Sequence, residues 1–180
     1  MTEVDASFLD MDGVLVDFVY PACRLHGVTD PYPATKHPDS YDTWTHLGMT
    51  ADAFWKPISE AGSGFWETLP RLKKADEWVQ FCKDSGKPWC ILTKVSGRDW
   101  EQVVLGKHRW LMRNYGPSIA ARMVPCADKS LHSGIGKLLI DDCQDNIDAW
   151  IAAGGRGAMP ARPWNRSDWG DEELIALLRS

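Results

Sequence analysis

The sequence predicts an α/β fold: a central parallel sheet with helices on both faces, and a small, mostly helical cap inserted after the first strand. Three observations carry this expectation. Five short apolar runs read as strands, and segments of helical periodicity lie between several of them. Residues 17–68 are too long a stretch to be a plain loop. The runs are continuous rather than alternating, which is the mark of strands buried on both faces.

Taken in order, the first run is Ala6–Leu9, and it leads into DMDG at residues 10–13. Asp-Gly between apolar residues is also a strong hairpin signal, with Phe8-Leu9 and Val14–Val16 as the two strands. An EF-hand loop is excluded, because the aspartates are too closely spaced and no Glu closes the loop. The insertion follows, with prolines 21, 31, 33, 38 and 57 and the aromatics Phe18, Tyr20, Tyr32, Tyr41, Trp44, Phe54, Trp55, Phe65 and Trp66. Leu72, Ala75, Trp78, Val79 and Cys82 mark a helix, stopped by Gly86 and Pro88. Pro88–Leu92 is the second strand. Trp100, Val104, Leu111 and Tyr115 mark the next helix, ending at Gly116-Pro117. Strands Arg122–Cys126 and Lys137–Ile140 come next, then a helix on Ile147, Trp150 and Ile151 closed by Gly154-Gly155, then strand Arg156–Pro160. The expected division is a core of residues 1–16 and 69–180 with a cap of residues 17–68.

Composition narrows the function. The 180 residues are 44% hydrophobic and 25% charged, with a net charge of −5, which disfavours a nucleic-acid polymer or a membrane surface as partner. No apolar run approaches the ~18 residues of a membrane span, and MTEVDASFLD has neither the charged nor the apolar region of a signal peptide. The five cysteines (Cys23, Cys82, Cys90, Cys126, Cys143) are scattered without a CxxC pair, which argues against a disulfide framework or a zinc site and for a reducing, cytoplasmic setting. Trp78, Trp89, Trp100 and Trp110 fall at core-like positions, and His108 reads as a surface or packing histidine.

The parallel pattern argues against the hairpin. If Ala6–Leu9 is a central strand, Asp10 and Asp12 lie just beyond its carboxyl end, the edge at which open α/β sheets bind ligands. The second strand runs into Thr93, the third is followed by Ala-Asp-Lys129, and the fourth runs into Asp141-Asp142. Singly, Thr93 reads as a helix cap, Lys129 as a surface lysine and the aspartate pair as a favourable helix start. All of them at one edge read as a site. Crowded carboxylates need a cation, and an all-oxygen set suits Mg²⁺. One carboxylate can act as a nucleophile on phosphorus, a second can shuttle a proton, and Thr and Lys can hold phosphoryl oxygens.

The ordered set DMDG, apolar-Thr, Lys, apolar-Asp-Asp resembles the four motifs of the haloacid dehalogenase superfamily of phosphotransferases. More narrowly, DMDGVLVDF, GFWETLP, ILT, GKHRWL, ADKS and LLIDD, with RPWN near Trp164, resemble the 5′(3′)-deoxyribonucleotidases. The resemblance implies a Rossmann-like three-layer sandwich with strand order 5-4-1-2-3. It also implies Mg²⁺-dependent hydrolysis of (deoxy)ribonucleoside monophosphates through an aspartyl-phosphate. Carried over, Asp10 is nucleophile and metal ligand, and Asp12 is general acid/base, binding metal through its backbone carbonyl. Thr93 and Lys129 bind phosphate, Asp142 binds metal directly, Asp141 acts as outer orienting group or ligand, and Asp145 assists. Phe18, Trp55, Phe65 and Trp66 fall at or near positions that stack on the base, although Trp44, Trp55 and Trp66 also suit a small helical core. The second aspartate of DMDG favours phosphate chemistry over dehalogenation.

Two positions depart from the family pattern. Lys94 stands where Ser is common, and Cys143 where an Arg often follows the aspartate pair. The expectation is that Lys94 restores the missing cation at the phosphate. Another small phosphomonoester, such as a sugar phosphate or modified nucleotide, is the alternative substrate, and a silent nucleotide-binding protein the alternative of another class. A homodimer is left open.

Overall fold

Five strands form one all-parallel sheet in the computed structural model, which describes residues 3–32, 42–95, 97 and 99–179. The strands are β1 (Ala6–Leu9), β2 (Trp89–Lys94), β3 (Met123–Cys126), β4 (Lys137–Ile140) and β5 (Arg156–Ala158), in spatial order β3-β2-β1-β4-β5. This is the expected 5-4-1-2-3 order, seen from the other edge. α4 (Ala75–Asp84) precedes β2, α5 (Trp100–Tyr115) and the short α6 (Pro117–Ala120) precede β3, a 3₁₀ turn (Lys129–His132) lies between β3 and β4, and α7 (Gln144–Ala152) precedes β5. A final helix, α8 (Asp171–Arg179), has no counterpart in the sequence expectation.

The apolar runs are buried as their composition demands. Leu9, Ile91, Leu92, Leu139 and Ile140 are wholly buried, and Trp78, Trp110 and Trp150 fill the layers beside them. Burying one such side chain contributes about 1.5–3 kcal/mol, so these runs dominate the fold's stability. Trp100 departs from expectation. It is the first residue of α5 and about half exposed, because the apolar stripe of that helix faces the core only from Val103 onward. The strand predicted to reach Pro160 ends at Ala158, and the helix predicted from Leu72 begins at Ala75.

The chain leaves the core after β1 and rejoins it before α4 at neighbouring points. Val16 and Arg71 form an antiparallel bridge, the Asp17 amide donates to Pro70 O (2.9 Å), and the Leu72 amide donates to Leu15 O (2.9 Å). Within the insertion lie α1 (Val19–Arg24), α2 (Thr43–His46) and α3 (Ala51–Glu67). Thr50 caps α3 by accepting from the Ala53 amide (3.2 Å), and Gly62 breaks the helix at φ 59°. Pro33, Pro38 and Tyr41 lie outside the described residues. No helix among the described residues is long and apolar enough to cross a membrane.

The insertion is fused to the core through α3 and α5. A Cβ on Gly106 would stand 2.4 Å from the carbonyl oxygen of Ser63 and 2.6 Å from Trp66 Cβ, so only glycine permits this approach of the two helices. The following residue, Lys107, is thereby fixed beneath the insertion.

Candidate active site at the carboxyl edge of the sheet

Register brings the site together. Leu9 pairs with Ile140 on one side and Ile91 on the other, and the Asp10 amide donates to Ile140 O (2.9 Å). Asp10 and Asp141 therefore leave adjacent strands at the same level, and Thr93 lies near the carboxyl end of β2, two residues beyond Ile91. The DMDG segment is a tight loop rather than a hairpin. The Leu15 and Val16 amides both donate to Met11 O (2.8 and 2.9 Å), and Gly13 N–H donates to Val16 O (2.8 Å).

Asp10, Asp141 and Asp142 are buried, with one carboxylate oxygen of each within 4.8 Å of the others. Gly13 makes room for them. Its φ is +74°, and a Cβ there would lie 2.0 Å from Asp142 Oδ2. Burial, reinforced by the neighbouring carboxylates and opposed by Lys129, raises the Asp10 carboxyl well above its usual range. Burial and then Asp141 push Asp142 up to about 7, while the Trp164 indole, Arg162 and Lys129 pull it down. Three hard oxygen donors held together at such electrostatic cost fit a small divalent cation such as Mg²⁺. Asp12 contributes a further buried carboxylate oxygen, Oδ1, without a hydrogen-bond partner among the described residues.

Lys129 is the internal counter-charge. Its ammonium is buried and lies 2.6 Å from Asp10 Oδ1 and 2.6 Å from Asp141 Oδ2. Burial alone would lower its pKa, but the two carboxylates outweigh that and raise it. It belongs to a 3₁₀ turn, Lys129–His132, opened by Asp128 accepting from the Ser130 amide (2.9 Å).

A second buried ammonium was not singled out from sequence. Lys107 of α5, 1% exposed, donates to Asp12 Oδ2 (2.5 Å), Thr93 Oγ1 (2.7 Å) and Lys94 O (3.2 Å), and lies 4.9 Å from the centre of the Trp66 ring. The GKHRWL string contains it, but a lysine in an amphipathic helix reads as surface until the tertiary contact is known. His108 beside it is exposed, as expected.

Lys94 is placed differently from Lys107. The Lys94 side chain is exposed, and its backbone carbonyl accepts from the Lys107 ammonium (3.2 Å). The reason is the period of the strand: with Thr93 pointing inward, its neighbour points away. The cation that accompanies Lys129 in the buried site is Lys107. Cys143, at the expected Arg position, is a buried thiol, and Asp145 is exposed in the first turn of α7.

Phe18, Trp44, Phe54, Trp55, Phe65 and Trp66 form one aromatic cluster. Phe18 stacks on Trp66 (5.3 Å, 12°) and on Trp55 (5.5 Å, 26°), and Phe65 meets both Phe18 and Trp66 edge-on. Phe65 and Trp66 are buried, whereas Trp55 is 38% exposed and Phe18 is half-buried. Trp44 packs against Phe54 and Trp55.

The segment 162–165, RPWN, also reaches the site. Trp164 Nε1–H donates to Asp142 Oδ2, Asn165 Nδ2 donates to Asp142 O (2.9 Å), and Arg162 Nε donates to Gly13 O (2.6 Å). These contacts span more than twenty residues, and no local pattern announces them.

No family model and no curated protein sequence matches the chain. Solved structures do match. A hydrolase from Streptococcus pneumoniae TIGR4 superposes with a TM-score of 0.56 at 15% identity over 99% of this chain and 100% of its own. A haloacid dehalogenase-like family hydrolase from Xanthomonas campestris does so at 0.58 and 10% identity, over 98% and 91%. A HAD family hydrolase from Deinococcus radiodurans R1, with bound phosphate and sodium, gives 0.54 and 18% identity over 98% and 89%. At these identities the likeness establishes the fold, and the fold is that of the haloacid dehalogenase-type hydrolases.

Proposed function

We propose that the protein is a Mg²⁺-dependent phosphomonoesterase acting on (deoxy)ribonucleoside monophosphates. The observation that carries this reading is the buried Asp10–Asp141–Asp142 cluster with Lys129 within it and Asp12 at its margin. Phosphate bound to the Deinococcus radiodurans neighbour supports the same chemistry on this fold.

Asp10, Asp142 and the Asp12 backbone carbonyl would hold the metal, with Asp141 as further ligand or orienting group. Bound there, Mg²⁺ would offset the charge of the carboxylates and would supply Lewis-acid stabilisation of phosphoryl charge. An Asp10 oxygen attacks phosphorus: the new P–O bond forms as the ester P–O bond breaks, and Asp12 protonates the departing alkoxide. In the second half Asp12 takes a proton from water, the water oxygen attacks the aspartyl-phosphate, and inorganic phosphate leaves with Asp10 restored. Thr93 and Lys129 bind the phosphoryl oxygens as charge develops there. Lys107, between Asp12 and Thr93, orients both.

Nucleotide preference rests on the ring surface of Phe18 and Trp55 beside the site. A second reading, a smaller phosphate ester such as a sugar phosphate, draws on the burial of Phe65 and Trp66, which removes two of the four rings from service. Hydrolysis of p-nitrophenyl phosphate tests the chemistry common to both. Turnover should require Mg²⁺, stop with EDTA and be lost in Asp10→Asn; turnover that survives either treatment refutes the proposal.

A further inference from the structure

Trp164 joins two parts of the molecule that are remote in sequence. Its indole N–H donates to Asp142 Oδ2 from a side chain that is 2% exposed. Its ring packs with Val19, Cys23 and Tyr32 of the insertion, and the Tyr20 and Tyr32 rings lie 6.3 and 6.2 Å away. The next residue fixes the backbone of the same aspartate, through Asn165 Nδ2 to Asp142 O, and also donates to Pro160 O (2.9 Å). Asn165 Oδ1 in turn accepts from the Arg162 amide (3.0 Å), and Arg162 ties Gly13 O to Asp171 (2.9 Å).

We infer that Trp164 is a positioning residue for the metal ligand Asp142, and that segment 162–165 is a clasp relating the insertion to the metal centre. This rests on the metal site proposed above. The physical argument is rotational. A carboxylate on a short side chain turns freely about its Cβ–Cγ bond, and Mg²⁺ tolerates little departure from octahedral geometry. One indole N–H on Oδ2, with the backbone carbonyl also held, leaves Asp142 one orientation toward Asp10 and Asp141. Because the same indole packs with Val19, Cys23 and Tyr32, the orientation of the insertion and that of the carboxylate are linked through one ring. Outer hydrogen-bond partners of metal ligands commonly control affinity by about 10–100-fold.

The test is Mg²⁺ affinity, measured calorimetrically and from the rise of Tm with Mg²⁺ concentration, for wild type, Trp164→Phe, Asn165→Ala and Leu174→Ala. Trp164→Phe keeps the ring packing and removes the donor. Leu174→Ala loosens the buried side of α8 without touching Asp142, and serves as the control for lost stability alone. The expected result is Mg²⁺ binding about 10-fold or more weaker in Trp164→Phe and weaker in Asn165→Ala, with Leu174→Ala unchanged. If Trp164→Phe does not fold, Asn165→Ala decides by the same criterion. Wild-type affinity in these two variants overturns the clasp and leaves the metal site standing. Absence of Mg²⁺ binding in the wild type overturns both.

Discussion

The ammonium of Lys107 stands 2.5 Å from the carboxylate of Asp12, although the two residues come from the helix under the insertion and the loop after the first strand. The same ammonium donates to Thr93 Oγ1, so one cation orients both the proposed proton carrier and a proposed phosphate ligand. Lys107→Met removes that charge and leaves Asp12 and Thr93 without their shared donor. The expected cost is about 2 kcal/mol, below the range for wholly buried pairs because Asp12 keeps some contact with water. Turnover of p-nitrophenyl phosphate should fall by about 100-fold. Denaturant unfolding and steady-state kinetics on one preparation check both numbers.

Asp10→Asn should separate stability from chemistry. The Asp10 carboxylate is buried against Asp141 and Asp142, so replacing its charge relieves repulsion, and Lys129 keeps Asp141 as partner. The variant should match or exceed the wild-type Tm without metal and lose at least about a thousandfold in turnover. Thermal melts in EDTA and a phosphate-release assay read the two effects.

Asp142 makes metal-free stability fall with rising pH. A carboxyl with a raised folded pKa is protonated preferentially in the fold. Its stabilising contribution is complete below the unfolded value and disappears as pH climbs through the folded value. For Asp142 these values are 3.8 and about 7. The protein in EDTA should therefore melt at a lower temperature at pH 8 than at pH 5 on this account, and the rise in Tm with Mg²⁺ should be larger at pH 8, because metal ligands must be deprotonated.

Gly13 is intolerant of any side chain for two separate reasons. Its φ of +74° disfavours an L-residue, and the added Cβ would collide with Asp142. Gly13→Ala should cost about 1–2 kcal/mol for the backbone alone and weaken Mg²⁺ binding besides. Gly27 has a similar φ but open space around it, so Gly27→Ala should show the backbone cost without the metal effect. Tm and Mg²⁺ titrations of the two variants separate the causes.

Much of the fold was legible because its signals are local. Strand runs such as Lys137–Ile140, and stops such as Gly116-Pro117, follow from burial and backbone freedom within a few residues. The parallel arrangement then implied that Asp10, Thr93, Lys129 and Asp141 converge, since each follows an apolar run. Lys107, Trp164 and Arg162 were not legible in the same way. Each acts across at least a dozen residues of sequence, and each has an innocent local reading. Lys94 follows buried Thr93 in the strand and is exposed, as the alternation of a strand requires. α8 was passed over although Leu174, Ile175 and Leu178 give it an apolar side.

The most direct test of the central claim is phosphate release with Mg²⁺ across deoxyribonucleoside 5′- and 3′-monophosphates, their ribo counterparts and several sugar phosphates. The account predicts Mg²⁺-dependent release with preference for a nucleoside monophosphate, lost in Asp10→Asn. Release from sugar phosphates alone would contradict the nucleotide assignment while keeping Asp10 as nucleophile. Release from none of them by the folded, Mg²⁺-loaded protein would contradict the account.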